Sequence, residues 1–261
     1  MNTLLQDLRY GARMLWKKPG FTLIAVITLA TGIGLNAAIF SAVNSILLRP
    51  LPYQEPDRLV QIWESQRDGA KDNVVSPDNL IDWRNQAQSF EGLSAYDAWL
   101  PALSQAGETV QVVGAVVSAN SFSLLGATPQ LGRTFAPEEE KAGRNRVVVI
   151  SHSFWQSHLG GDANVIGKTL TLNENGYTII GVLRPDFRHP RLVFDQGAAL
   201  WRPFDVGAQA NHRGSHYLNA IGRLKAGVSL KQAQAEMTAI ARQLELAFPQ
   251  PASASRRGDR I

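Results

Sequence analysis

The chain has 261 residues, of which 44% are hydrophobic and 18% charged, and its formal net charge is +4. This balance is too apolar for a disordered chain, and the length allows one large domain or two smaller ones, each with a real core. Because the sequence contains no cysteine, disulfide scaffolds, thiolate zinc sites and cysteine nucleophiles are excluded.

The positive charge lies at the two ends of the chain. Residues 1–20 carry a net +3, residues 255–261 carry +2, and the long middle is left at −1. A nucleic-acid-binding domain needs a basic surface to neutralise phosphates, so this distribution argues against nucleic acid as a partner.

An uncharged stretch of 28 residues, 21–48, follows the basic start of the chain. As a helix it would be about 42 Å long, which exceeds the roughly 30 Å of hydrocarbon in a bilayer. A cleaved signal peptide is the competing interpretation, but its apolar region is normally only about 7–15 residues long. The sequence therefore predicts a retained transmembrane helix at 21–48.

Basic residues precede this span, whereas the residues just beyond it are balanced in charge. The four basic residues are Arg9, Arg13, Lys17 and Lys18. The positive-inside rule then predicts a cytoplasmic N-terminus and places residues 49–261 outside. Apolar residues at helical spacing within 1–20 predict an amphipathic helix on the cytoplasmic leaflet, with an ordinary solvated helix as the alternative.

Small residues recur at every fourth position of the span. They are Ala30, Gly34, Ala38 and Ala42. This spacing lets two helices approach closely, and Asn36 near the middle of the membrane calls for a hydrogen-bond partner. We therefore expect these five residues to pack against other membrane helices. A lone anchor that is rich in small residues is the alternative.

Beyond a proline-rich link at 49–56, short strands and helices alternate, so the predicted fold class is α+β. The predicted strands are 59–64, 93–100, 109–117, 147–150, 169–172, 177–182 and 218–224. Asn175-Gly176 predicts the hairpin turn between the fifth and sixth of them.

Four helices are predicted in this part of the chain, and one of them is at 153–159. Ser76 before Pro77 is typical of a helix start, and a short helix is predicted at 120–125. Ser229 and Gln232 form a capping box at the start of the last helix. That helix has an apolar stripe from Leu230 to Ala247 and a polar, solvated face that includes Glu236.

The sequence motifs argue against a catalytic, nucleotide-binding or metal-binding site. The stretch 161–169, GDANVIGKT, has five residues between its glycines where a phosphate loop has four, and it leads into a hairpin. His212 and His216 are four residues apart, as two metal ligands on a helix would be, but Gly214 intervenes and no third ligand has a matching spacing. We therefore expect a non-enzyme without a bound cofactor or metal.

Four stretches carry a family resemblance. They are residues 6–60 (QDLRYGARMLWKKPGF and onward), 118–135 (SANSFSLLGATPQLGRTF), 146–162 (RVVVISHSFWQSHLGGD) and 165–187 (VIGKTLTLNENGYTIIGVLRPDF). Together they resemble MacB-like and FtsX-like ABC transporter permeases, and most of all the acidobacterial-type subgroup.

The resemblance implies an architecture and a role. It implies a cytoplasmic helix at 1–20, a membrane helix at 21–48 and a two-lobed α+β periplasmic core domain at 49–261. One lobe would comprise 57–117 plus 217–261, with 118–216 inserted. It further implies a bacterial inner membrane and a separate ABC ATPase whose motion is transmitted outward. Family members continue into further membrane helices, so we expect this chain to be a truncated product, a split gene or a fragment.

Two functions remain open at this point. The first is a non-catalytic permease subunit, or its N-terminal piece, that assembles with an ATPase and with further permease helices or a homodimer partner. The second is a single-span anchored domain that binds or senses envelope partners without ATP coupling.

Overall fold

The computed structural model describes residues 13, 16–43, 53–64, 74–105, 107–189, 197–205 and 213–248. The chain divides into two compact units, Met1–Leu51 and Pro52–Ile261. The first unit contains helix α1, Pro19–Val43, which lies within the predicted span apart from its first two residues. Most of the predicted amphipathic helix, and the last five residues of the predicted span, lie outside the described residues.

The second unit combines helices and strands, which confirms the predicted α+β class. Its helices are α2 (Pro77–Gln86), α3 (Ser121–Leu125), α4 (His152–Leu159) and α5 (Leu230–Ala247), with 3₁₀ turns at Pro56–Arg58 and Pro137–Glu140. Its strands are β1 (Leu59–Ile62), β2 (Phe90–Trp99), β3 (Ala102–Gln105), β4 (Glu108–Gln111), β5 (Gly114–Val117), β6 (Pro129–Gly132), β7 (Val147–Ile150), β8 (Thr169–Leu172), β9 (Asn175–Leu183), β10 (Leu200–Pro203) and β11 (Asn219–Leu224).

The eleven described strands form one sheet in the order β1-β11-β2-β5-β10-β7-β9-β8-β3-β4, and β6 pairs with β9 outside this path. Strands β5 and β10 run parallel, as do β7 and β9. The hairpin of β3 and β4 pairs with β8, far along the sheet from β2 and β5. The lobe boundaries proposed from the sequence, 57–117 plus 217–261 around 118–216, remain a prediction.

Both predicted helix caps are present. The Ser76 hydroxyl accepts a hydrogen bond from the amide of Asn79 at 3.3 Å. Ser229 and Gln232 exchange hydrogen bonds as a capping box, at 3.3 and 2.8 Å. These side chains satisfy amide groups that a helix start leaves without intrahelical partners.

Helix α5 buries a narrower stripe than the periodicity predicts. Ala233 and Ile240 are buried in the core, whereas Leu230 is exposed. Glu236, predicted on the solvated face, is half-buried, and its carboxylate accepts hydrogen bonds from the amides of Gln88 and Ser89 at 2.8 and 2.9 Å. Periodicity misplaced this residue because it describes one helix and not the loop that packs against it.

The predicted hairpin turn is shifted by two residues. Leu172 pairs with Asn175, so the turn is Asn173-Glu174, with φ of 48° and 62°. The Asn173 side chain accepts a hydrogen bond from the Ala102 amide at 2.8 Å, which ties this turn to the neighbouring strand. A tertiary contact therefore selects the register over the local preference of Asn-Gly for such turns.

The predicted strand at 109–117 is two strands. Strand β4 is fully exposed at the edge of the sheet, while β5 is largely buried between β2 and β10. The run of β-branched residues continues through both strands, so local pattern alone does not reveal the change of partner.

Candidate functional site

Helix α1 is the first candidate functional element. It is long and apolar enough to cross a membrane, and no residue of its Pro19–Ala38 window is buried. Its large apolar side chains, such as Phe21, Leu29 and Phe40, are exposed. A soluble protein rarely exposes so large an apolar surface, so this helix requires lipid or protein around it.

The predicted packing residues lie along this helix. Ala30, Gly34 and Ala38 are exposed within it, and the side chain of Ala42 lies outside the described set. No atom lies within 4 Å of the position that a Cβ would take at Gly34. Asn36 donates to the carbonyl of Gly32 at 2.9 Å, so its amide group is partly satisfied within its own helix. Their packing against other helices remains a prediction.

The residues predicted to orient the helix stand at its start. Arg13, Lys17 and Lys18 are exposed, and Arg9 lies outside the described residues. The cytoplasmic position of these charges also remains a prediction.

The second candidate element is a short segment at residues 53–58, here called the tether, which leads directly into β1. Arg223 of β11 holds it. The Arg223 guanidinium donates to the carbonyl of Gln54 at 2.5 Å and to that of Glu55 at 3.1 Å. It also donates twice to the carbonyl of Leu124 in α3, at 3.0 and 2.7 Å. Arg223 and these three carbonyl groups are named the Arg223 clamp.

Because Arg223 is buried, it depends on the carbonyl groups of both the tether and α3 for its hydrogen bonds. Arg223 is only 5% exposed. A buried cation costs several kcal/mol unless hydrogen bonds satisfy it. The carbonyl groups do so here, and the Glu55 carboxylate lies 3.8 Å from Nη1 as a more distant counter-charge. The guanidinium is therefore fully satisfied only while the tether lies against α3.

The backbone around the clamp is sharply bent. Glu55 has a left-handed conformation, with φ 43° and ψ 63°, which is uncommon for a residue other than glycine. Gly126, which ends α3, has φ 72°, and a Cβ there would lie 2.6 Å from the Cβ of Gln54. Only glycine combines this φ with so close an approach. The end of α3 is thus shaped around the tether.

Arg58 holds the other end of the tether. Its Nε and Nη2 donate to the carbonyl of Leu224 on β11, at 2.8 and 2.6 Å. Its Nη1 pairs with the Glu55 carboxylate at 2.6 Å, and its Nη2 pairs with Glu91 on β2. Two arginines therefore connect the tether to the centre of the β1-β11-β2 region.

Tyr53 anchors the first residue of the tether by packing. Its side chain is half-buried against the core cluster that contains Tyr96 and Phe122. Burial, and to a smaller degree the neighbouring Tyr96, raise the pKa of Tyr53 to about 12. The sequence analysis singled out neither Tyr53 nor Arg223. The available signal was a charged residue, Arg223, inside the mainly apolar strand β11.

The histidine pair does not make a metal centre in the described part of the chain. His216 Nε2 lies 2.8 Å from a Glu64 carboxylate oxygen, and His212 lies outside the described residues. Glu64 also accepts the Ser76 amide at 3.0 Å. Within the described ranges, no three metal-ligating side chains come together.

A cavity of about 300 Å³ lies between α2, β2, residues 119–120 just before α3, and the 3₁₀ turn Pro137–Glu140. Its charged lining residues include Arg84 and Glu140, which pair at 3.1 Å. Because these two charges neutralise each other, the cavity does not have the character of a site for a charged ligand.

The match to known families extends over most of both units. Residues 22–240 match the family described as the MacB-like periplasmic core domain. The chain belongs to this family. The match begins inside α1 and ends inside α5, so it contains the tether, the clamp and the eleven described strands. Comparison with curated protein sequences gave no significant match.

Solved structures share the fold of this MacB-like domain. The periplasmic region of MacB from Actinobacillus actinomycetemcomitans is 15% identical, with a TM-score of 0.54 over 73% of this chain and 84% of that one. A domain assigned to a permease protein from Porphyromonas gingivalis is 16% identical, with a TM-score of 0.58 over 74% and 84%.

A third likeness comes from Gram-positive bacteria. The extracellular domain of the noncanonic ABC-type transporter YknZ is 15% identical, with a TM-score of 0.52 over 72% of this chain and 94% of that one. The matched family is thus a periplasmic core domain, and its structural neighbours are described as parts of MacB, of an ABC-type transporter and of a permease. The family match and the apolar helix are both consistent with an inner-membrane protein.

Proposed function

We propose that this chain is a non-catalytic permease subunit, or the N-terminal part of one, in an ABC-type export or mechanotransmission system. A separate ABC ATPase would drive motion of membrane helices, and the MacB-like domain would respond outside the membrane. The observation that carries the proposal is an apolar helix, α1, with no buried residue in its Pro19–Ala38 window, in the same chain as the MacB-like domain.

The membrane helix would then have two tasks. Arg9, Arg13, Lys17 and Lys18 would keep the N-terminus in the cytoplasm. Ala30, Gly34, Ala38 and Ala42, with Asn36, would seat the helix against further permease helices or a second copy. Small residues favour this because they allow close backbone approach, and van der Waals packing between helices then replaces contact with lipid.

A point substitution in the helix tests the proposal. Gly34→Leu places a large side chain in the row of small residues. It should lower the co-purification of the ATPase or of permease helices from detergent by at least tenfold. Gly20→Leu is the matched control, since it makes the same change about 21 Å away along the helix axis and also meets no neighbour there. Failure of both wild type and control to recover any partner would contradict the proposal.

The same experiment addresses the second candidate, a single-span anchor without ATP coupling. The observation that favours it is the internal satisfaction of polar groups in α1: Thr28 and Thr31 donate to carbonyls one turn earlier, each at 2.8 Å. This candidate predicts that Gly34→Leu changes nothing.

Orientation is tested separately. The natural chain has no cysteine, so a single cysteine at Lys17 or at Lys168 can be labelled alone. A membrane-impermeant maleimide applied outside the inner membrane should label Lys168→Cys and not Lys17→Cys. The reverse pattern would contradict the proposed topology.

A further inference from the structure

We infer that the Arg223 clamp is the point at which displacement of the membrane helix is passed to the sheet of the MacB-like domain. The inference rests on the proposed function, because it concerns how that motion is received. Arg223 is in this sense a positioning residue, which holds the tether and takes no part in chemistry.

The first argument is the position of the tether in the chain. Residues 53–58 are the first described stretch after α1, and they precede every strand of the sheet. A pull along the chain from the helix therefore reaches the tether before it reaches β1. Among the described residues of the MacB-like domain, whatever holds the tether receives that load first.

The second argument is what holds the tether. Its backbone contributes one long hydrogen bond to α3, from the Gln54 amide to the Leu125 carbonyl at 3.4 Å. Arg223 contributes shorter, charge-assisted hydrogen bonds, of the kind that are roughly twice as strong as neutral ones. Arginine side chains, Arg223 along the tether and Arg58 at its end, therefore keep the tether in place more than its backbone does.

The third argument is where the clamp leads. Arg223 belongs to β11, which pairs with β1 on one side and with β2 on the other. The clamp thus connects the tether to β11, the second strand of the sheet, and not only to the edge strand β1. The same guanidinium holds α3 through Leu124, so a displaced tether acts on a strand and a helix together.

The strained turn supports this assignment. Left-handed backbone at a non-glycine residue persists only where its surroundings impose it. Glu55 has that conformation while its carbonyl is held by Arg223 and its carboxylate by Arg58. Release of the clamp would remove one of the two restraints on this turn and would favour its relaxation towards extended backbone.

Pulling on single molecules tests the inference. Cysteines introduced at Arg49 and at the exposed Ala163 carry the handles, and the full chain is held in detergent micelles. In the otherwise wild-type chain we expect the tether to stay docked until the domain itself unfolds. In Arg223→Met we expect an earlier step at lower force, with a gain of at most about 20 Å, which is the full extended length of six residues at roughly 3.5 Å each.

The control separates clamping from general stability. Arg84 also bonds a backbone carbonyl, that of Leu93 at 3.1 Å, and pairs with a carboxylate, but it does not belong to the clamp. Arg84→Met should lower the denaturation midpoint without adding the early step. Arg223→Lys keeps the charge and should release the tether at a force between those of wild type and Arg223→Met. Should Arg223→Met not fold, Tyr53→Ala loosens the tether from its other end and should add the same step.

Three outcomes would overturn the inference. The first is absence of the early step in both Arg223→Met and Tyr53→Ala. The second is the same step in Arg84→Met, and the third is release of the tether before the domain unfolds in the wild type. The proposed function has its own test, because it concerns recovery of a partner ATPase. We expect Arg223→Met to retain that partner at the wild-type level.

Discussion

Tyr53 offers a direct test of whether the tether is docked. Burial, and then the nearby Tyr96, raise the pKa of Tyr53 from 10.0 to about 12. A tyrosine whose pKa is raised on folding is favoured in its neutral form. Its contribution to stability is therefore complete below the unfolded pKa, near 10, and is lost as the pH rises from there to about 12.

The size of the effect follows from that interval. A shift of two units corresponds to at most about 2.7 kcal/mol. The side chain is only half-buried, so water screens part of this, and we expect about 1 kcal/mol. Between these pH limits, the wild-type free energy of unfolding should fall by that much more than that of Tyr53→Phe.

The assay combines two measurements. Denaturant unfolding at several alkaline pH values gives the difference in free energy, and the Cζ chemical shift of isotope-labelled tyrosine gives the titration itself. Tyr177→Phe, on β9 and outside the tether, is the control for loss of a tyrosine hydroxyl. Titration of Tyr53 near its ordinary value, with equal alkaline slopes in wild type and Tyr53→Phe, would refute the docked arrangement.

Three further predictions concern the domain as a whole. Gly181→Ala would place a Cβ against the carbonyl oxygen of Arg133, which is backbone and cannot move aside. Denaturation should therefore show a loss of about 3 kcal/mol in the free energy of unfolding. Gly214→Ala is the control, because a Cβ there meets nothing within 4 Å, and it should be nearly neutral. Glu174→Gly suits the left-handed turn at φ 62° and should raise stability by about 0.5 kcal/mol, whereas a loss would argue for the turn at 175–176. Partial burial raises the pKa of Glu236, but hydrogen bonds from the Ser89 side chain and from the amides of Gln88 and Ser89 outweigh it and lower that pKa. The stabilisation by Glu236 is therefore present above the unfolded pKa and is lost as the pH falls through the folded pKa. Acid titration of stability should therefore be shallower in Glu236→Gln, and an unchanged acid profile would contradict this.

Local signals were sufficient for many of the individual elements. Twenty-eight uncharged residues at 21–48 predicted a membrane-spanning helix, and α1 is a continuous helix within that stretch, as its composition requires. The helix caps at Ser76 and Ser229 could be predicted because a capping side chain forms hydrogen bonds with amides only two or three positions away. The family resemblance was visible in the quoted stretches, and the match over 22–240 confirms it.

What the local pattern could not provide is the choice of partner across the fold. The run at 109–117 is one pattern but two strands, because β4 joins β3 and β5 joins β2 and β10. The turn at Asn173-Glu174 depends on Ala102, some seventy positions earlier. Strand pairing brings together residues that are distant in sequence. The periodicity of one segment does not indicate which segment lies beside it in the sheet.

The chain by itself therefore determined where the apolar helix lies, the position of many of the strands and helices, and the family to which it belongs, since each of these depends on composition or on neighbouring residues. It did not predict strands β3, β6 and β10. Only the tertiary structure decided that Arg223 holds a segment about 170 residues earlier in the chain, with donor–acceptor distances of 2.5 and 3.1 Å. An arginine within an apolar strand indicates that its charge must be satisfied. Which carbonyl groups satisfy it depends on how β11, α3 and the tether pack together.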